Sequence, residues 1–189
     1  MQLPTIDTVT NKCKTLIGTV FNLPKTRNKG DAGLLLERLT GIPMSSACLD
    51  CEDGEVKVYP LKQLKDGTIV PKETVAITMM KPEDLATVSW EASRVKKKID
   101  RVLFVGYLRD GDNVTFNNYF LMTATDPKCT KLYQTFKEDY EALQNKWLLE
   151  GTITSSTGKL IQSRTKGPGG NAPKTRAFYF RPALIKMLN

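Results

Sequence analysis

The chain has 189 residues, 40% of them hydrophobic, a net charge of +8 and no histidine, which is enough to bury one sizeable core. The missing histidine excludes Ser-His and Cys-His nucleophilic pairs, imidazole bases and most catalytic zinc sites, so any chemistry must come from Asp, Glu, Lys, Tyr or a bound ion. No apolar run reaches the roughly 20 residues of a membrane span, the N-terminus lacks the layout of a secretory signal, and four cysteines are too few for a disulfide scaffold; an intracellular protein with reduced thiols and no membrane contact is expected.

In chain order, a first short helix is predicted around Val9 to Phe21. NKGDAGLLLERLTG, Asn28 to Gly41, predicts a second, with Leu34, Leu35, Leu36 and Leu39 as its apolar stripe and Glu37 standing among them. EVKVY, Glu55 to Tyr59, alternates strictly, so a strand there puts Val56 and Val58 on one face and Glu55, Lys57 and Tyr59 on the other. After a turn at Asp66-Gly67, strands are expected near Thr74 to Met79, at Arg101 to Leu108 behind the basic run VKKK (Val95 to Lys98), and at Tyr119 to Thr123, together forming a mixed sheet. A helix should start at Asp126-Pro127 and stop at Glu150-Gly151, with Tyr133, Phe136, Tyr140, Leu143 and Trp147 as a core-facing stripe. Beyond it TITSSTGKLIQS reads as a hairpin, RTKGPGGNAPKTR as a flexible Gly/Pro loop, and AFYFR as a last strand before a short end helix.

Two features carry chemistry. In CLDCEDGEVKVYPLK, Cys48 and Cys51 have the spacing of half a structural zinc site, but Cys13 and Cys129 are isolated and cannot supply the other half. The carboxylates fit better: Asp50 and Glu55 are hard oxygen donors of the kind magnesium accepts, one or two at a time. Lys57, two residues after Glu55 and so on the same strand face, can hold a water and offset charge developing at phosphorus. The second feature is the C-terminal segment from Gly151 to Asn189, which has no Asp or Glu but carries Lys159, Arg164, Lys166, Lys174, Arg176, Arg181 and Lys186. Bases without interleaved acids mark a surface that meets polyphosphate.

An acid followed by ExK is common on solvated strands, so the motif gains weight only from its context. KGDAGLLLE, the acidic turn, EVKVYPLK, LKDG, SWEASRVKKKIDRVLFV, KEDYEALQNKWLLEG, GKLIQSRTKG and RAFYFR, in that order, resemble the MutH-like branch of the PD-(D/E)XK nucleases. That branch includes a mismatch-repair nicking enzyme and type II restriction endonucleases that cut at GATC, and the likeness covers the chain from about Asn28 onward. It implies an α/β restriction-endonuclease-like fold, a mixed β-sheet flanked by helices, in a single domain with a catalytic lobe of about residues 1–125 and a basic DNA-reading lobe of about 126–189 around a DNA cleft. It implies hydrolysis of a phosphodiester in double-stranded DNA at a short site such as GATC, leaving 5′-phosphate, with Mg2+ or in its place Mn2+, by a monomer able to pair on DNA.

Carried onto this sequence, the resemblance assigns Glu37, Asp50 and Glu55 to the metal, Lys57 to the attacking water, and Lys98 to the active site. It assigns Arg164 and Lys166 to a DNA-contacting loop and Tyr179 to the adenine of the site, with Lys174 and Arg176 on the same basic surface. One departure concerns spacing: the family leaves six residues between the first acid and the Glu of ExK, and here there are four. Glu52 and Asp53 therefore stand as alternatives to Asp50. A DNA-binding module of this fold that has lost its chemistry is the other reading.

Overall fold

The computed structural model describes residues 2–26, 30–166 and 175–188. The chain divides into two compact units, one made of Met1–Glu73, Asp100–Thr123 and Leu188–Asn189, the other of Thr74–Ile99 and Ala124–Met187.

The first unit holds α1 (Ile6–Leu16), β1 (Val20–Asn22), α2 (Asp31–Thr40), β2 (Glu55–Gln63), β3 (Ile69–Pro71), and, after an excursion of the chain, β5 (Arg101–Asp110) and β6 (Asn113–Thr123). Its five strands form one sheet in the order β1-β6-β5-β2-β3. Only β2 and β5 run parallel, Glu55 opposite Val102 and Lys57 opposite Phe104; the other pairs are antiparallel, so the sheet is mixed. Central strand β5 is apolar on both faces, with Val102, Leu103, Phe104 and Val105 all buried. Helices α1 and α2 supply Ile6, Val9, Cys13, Leu35 and Leu36 to a core completed by Cys51, Val56, Leu103, Val105 and Phe116.

The second unit holds β4 (Val75–Met80), α3 (Pro82–Thr87), α4 (Arg94–Ile99), a single 3-10 turn (Pro127–Cys129), α5 (Thr130–Glu150), β7 (Ile161–Lys166), β8 (Thr175–Phe180) and α6 (Pro182–Leu188). Its sheet is antiparallel, in the order β4-β8-β7. The stripe expected on α5 packs on it: Phe136 meets Phe180 at 5.8 Å between ring centroids, and Tyr140 stacks on Phe178. Tyr140 also donates its hydroxyl to the Val88 carbonyl at 2.9 Å, which ties α3 to the same helix.

The structure corrects the sequence reading at four places. The strand expected near Thr74 does not join the others but pairs with β8 in the second sheet, Val75 opposite Phe180, so the boundary is not one cut near residue 125; residues 74–99 go with the C-terminal part. The first helix starts at Ile6, where the Thr5 side chain accepts the Thr8 N–H, and it has ended by Ile17. Val20 to Asn22 then pair with β6 instead of extending the helix. Only the last three residues of TITSSTGKLIQS belong to a strand, β7 starting at Ile161, because the Asp139 carboxylate gathers the N–H groups of Lys159, Leu160 and Ile161 at 2.6, 2.6 and 2.7 Å and folds the preceding residues into a turn. At Gly158 that turn requires φ of +88°, and a Cβ would sit 1.9 Å from the Ile161 carbonyl oxygen, which leaves room for glycine alone.

Candidate active site on β2 and base-reading face on β7 and β8

The acidic turn ahead of β2 is built by the backbone around it. Cys51 is buried in the core and its N–H reaches the Gly54 carbonyl at 2.9 Å, closing the turn. Gly54 is pressed so closely that a Cβ there would lie 2.9 Å from the Arg101 carbonyl oxygen and 3.2 Å from the Ile6 side chain. Cys51 in this setting, with Asp50, Asp53 and Glu55 nearby, has its thiol pushed up to about 12, chiefly by burial and then by those three negative charges. It is a core residue, and no group of three or more Cys, Asp or Glu gathered as metal ligands occurs among the described residues.

From this turn β2 delivers Glu55 and Lys57 to one face as the alternation requires. Glu55 is 1% exposed and its Oε1 accepts from Lys57 Nζ at 2.6 Å, the lysine being 18% exposed. Asp50 folds back onto the same strand, its Oδ2 accepting the Val56 N–H at 3.0 Å. Glu37, half-buried on α2, has its carboxyl raised above the ordinary range, first by burial and then by the charge of Asp50, while Lys57 pulls it back; both charged groups therefore lie within electrostatic reach of it. Glu37 lines a groove of about 560 Å³ together with Leu23, Leu34, Leu35, Ile42 and Met44.

Glu37, Asp50, Glu55 and Lys57 thus face one region of the first unit, without three carboxylates closing on a point. A magnesium ion needs no such triad, since it takes one or two carboxylates and completes its shell with water and phosphate oxygens; Asp50 and Glu55 are carboxylates of the kind it takes. Asp53 is engaged elsewhere: its Oδ1 accepts the Ile6 N–H at 2.7 Å and its Oδ2 pairs with Arg101. Glu52 is exposed at the outside of the turn. Lys98 stands half-buried on α4 of the second unit.

On β7 and β8 the register decides which residues share a face. Gln162 lies opposite Tyr179 and Arg164 opposite Ala177, so Gln162, Arg164, Lys166 and Tyr179 project from the side away from Phe178 and Phe180. Arg164 and Lys166 are exposed; Arg164 donates through Nη1 to the Thr74 hydroxyl at 3.1 Å. Arg176 departs from its expected place. It lies on the opposite face, half-buried, and donates through Nε to Ser163 Oγ at 2.9 Å and through Nη2 to the Ser163 carbonyl at 3.1 Å; burial lowers its pKa. It braces the ribbon. Lys174 falls outside the described residues.

Sequence reasoning missed Asp139, the anchor of the turn into β7, and Arg101. Asp139 could have been found: three residues after Phe136 and four before Leu143, it occupies the buried stripe of α5, where a charge needs a dedicated partner.

The family model described as "DNA mismatch repair enzyme MutH" matches residues 45–146, more than half of the chain. The match begins at the acidic turn and runs through β2, β5 and most of α5, so the class is that of the DNA endonucleases. The chain belongs to the MutH family. Among solved structures, the chain titled "Restriction endonuclease MvaI-cognate DNA substrate complex" is similar with a TM-score of 0.44 and 11% identity, over 96% of this chain and 93% of that one. No curated protein sequence matches the chain. Among the described residues no helix is long and apolar enough to cross a membrane.

Proposed function

We propose that the protein is a magnesium-dependent endonuclease that hydrolyses a phosphodiester within or beside a short sequence in double-stranded DNA, GATC, leaving a 5′-phosphate. The observation that carries this reading is the Glu55–Lys57 pair, 2.6 Å apart on one face of β2, with Asp50 turned onto the same strand, in a chain of the MutH family. Bound at Asp50 and Glu55, a divalent ion would supply Lewis-acid stabilisation of phosphate charge and lower the pKa of water beside it. Lys57 then has two tasks of its own: orienting a water through its ammonium donors and opposing the negative charge that builds on the phosphoryl oxygens. Lys98 is proposed as a further cation on the phosphate.

For recognition, an exposed guanidinium such as Arg164 can give two hydrogen bonds to the O6 and N7 edge of guanine, and the Tyr179 ring can lie against adenine. Lys166, Lys174 and the remaining bases of the C-terminal segment supply phosphate contacts. The protein would act as a monomer that can pair on DNA, inside a cell.

The test is a supercoiled plasmid carrying GATC, incubated with the protein in Mg2+, in Mn2+, in Ca2+ and in EDTA, against a plasmid lacking the sequence. Nicked or linear product with Mg2+ and Mn2+ alone, on the GATC plasmid alone, is expected, with ends that ligate without prior phosphorylation. The second reading, a MutH-like module that binds DNA without cutting it, draws on the absence of a three-carboxylate cluster among the described residues; retention of DNA binding with no product under any ion would favour it.

A further inference from the structure

The four residues between Asp50 and Glu55 are each fastened. Cys51 is buried and closes on Gly54; the Glu52 N–H donates to the Pro4 carbonyl at 2.9 Å; Gly54 is held where a Cβ would lie 2.9 Å from the Arg101 carbonyl oxygen and 3.2 Å from the Ile6 side chain. Asp53 makes the outermost connection. One of its oxygens takes the first N–H of α1 and the other pairs with Arg101, whose second terminal nitrogen reaches Asp7 Oδ1 at 2.6 Å. One guanidinium at the start of β5 thus ties the ligand-bearing turn to the first turn of α1.

We infer that Asp53 and Arg101 are positioning residues of the metal site: together they set the turn so that Asp50 and Glu55 present their oxygens to one ion. Asp53 is therefore not a ligand, although it stands nearer to Glu55 in sequence than Asp50 does. The inference rests on the proposed function of the β2 face. Two observations favour positioning over simple bracing. The ion pairs are partly solvent-exposed, Arg101 26%, Asp53 37% and Asp7 63%, a setting in which such pairs add little to stability. The turn they fix is short, so a displacement at Asp53 passes to Asp50 and Glu55 through only three and two residues of backbone, and groups that orient ligands affect metal affinity strongly.

The experiment is Mn2+ titration of the full chain followed by electron paramagnetic resonance, which reads the ion directly and does not depend on cleavage. It compares wild type with Arg101→Met, Asp53→Asn and Arg101→Lys, and melting curves are taken in EDTA. Asp53→Asn keeps an oxygen for the Ile6 N–H, so it carries the test if Arg101→Met fails to fold. The expected result is a dissociation constant for Mn2+ raised about 10-fold in Arg101→Met and Asp53→Asn, with Arg101→Lys between them and wild type and melting nearly unchanged. Unchanged Mn2+ affinity in folded variants, whatever happens to melting, overturns the positioning role and leaves the metal site standing. A wild type that takes up no Mn2+ overturns the metal-site reading itself, and the positioning role with it.

Discussion

The acidic turn leading into β2 and the ribbon of β7 and β8 carry the two halves of the proposed activity, and they are built on opposite plans. In the turn, charged side chains are engaged with their surroundings: Glu55 is buried against Lys57, Asp50 is bonded to the Val56 backbone, and Asp53 joins α1 to β5. On the ribbon, Arg164 and Lys166 stand in solvent, while the rigid parts, Arg176 on Ser163 and Asp139 on three backbone N–H groups, lie on the other face or at the strand's start. Chemistry at phosphorus depends on groups fixed before the substrate arrives. Reading a base edge needs side chains that can extend from a fixed strand, so stiffness belongs to the backbone there.

The contrast can be broken most severely at Lys57. Lys57→Ala should slow cleavage roughly 10³-fold, as losing a preorganised charge donor does, with duplex affinity within a few-fold of wild type; equal rates in a plasmid assay would remove its role. At the ribbon's anchor, Asp139→Ala leaves three backbone donors without their acceptor and should cost about 3 kcal/mol, a fall of roughly 6–12 °C in melting temperature. An unchanged melting curve would mean the anchor is dispensable. Arg164→Ala should reduce discrimination between GATC and a mismatched duplex by about 1–3 kcal/mol, while Lys166→Ala weakens binding to every sequence and lowers the log-log salt slope by about 0.9; identical profiles for the two variants would refute a reading role for Arg164.

The smallest effects sharpen the first half. Because Glu37 is held above the ordinary carboxyl range, the folded state binds its proton more tightly than the unfolded state does. Its contribution is therefore most favourable below the unfolded pKa and is lost as pH rises through the raised one. Glu37→Gln should accordingly melt slightly higher than wild type in EDTA at pH 8, with the gain shrinking as pH falls through the raised value and gone once it is below the ordinary carboxylate range. Wild type melting higher at pH 8 would contradict this. Cys51, with its thiol pushed up to about 12, should resist iodoacetamide in the native protein while half-buried Cys48 is modified, as peptide mapping would show.

Much of this was legible in the sequence where local pattern and environment agree. The alternation of EVKVY gave β2 and the shared face of Glu55 and Lys57, and the three-and-four spacing from Tyr133 to Trp147 gave α5 and its buried side. What escaped was set by partners far along the chain. Strand β4 has a strand's composition whichever sheet it joins, and only pairing with β8 a hundred residues later assigns it to the second sheet. The acids of the turn look alike in sequence; Asp53 is distinguished from Asp50 by Arg101, 48 residues on. The segment before β7 has the look of a hairpin in sequence, whereas its conformation is imposed by Asp139, 20 residues earlier.

The central claim, that the carboxylate of Glu55 beside Lys57 serves hydrolysis and not merely the fold, is tested most directly by single-turnover cleavage of a GATC duplex in Mg2+ by Glu55→Gln, which keeps the size and removes the charge. The account predicts a rate roughly 10³-fold below wild type with duplex binding retained. Cleavage at the wild-type rate by that variant would contradict it.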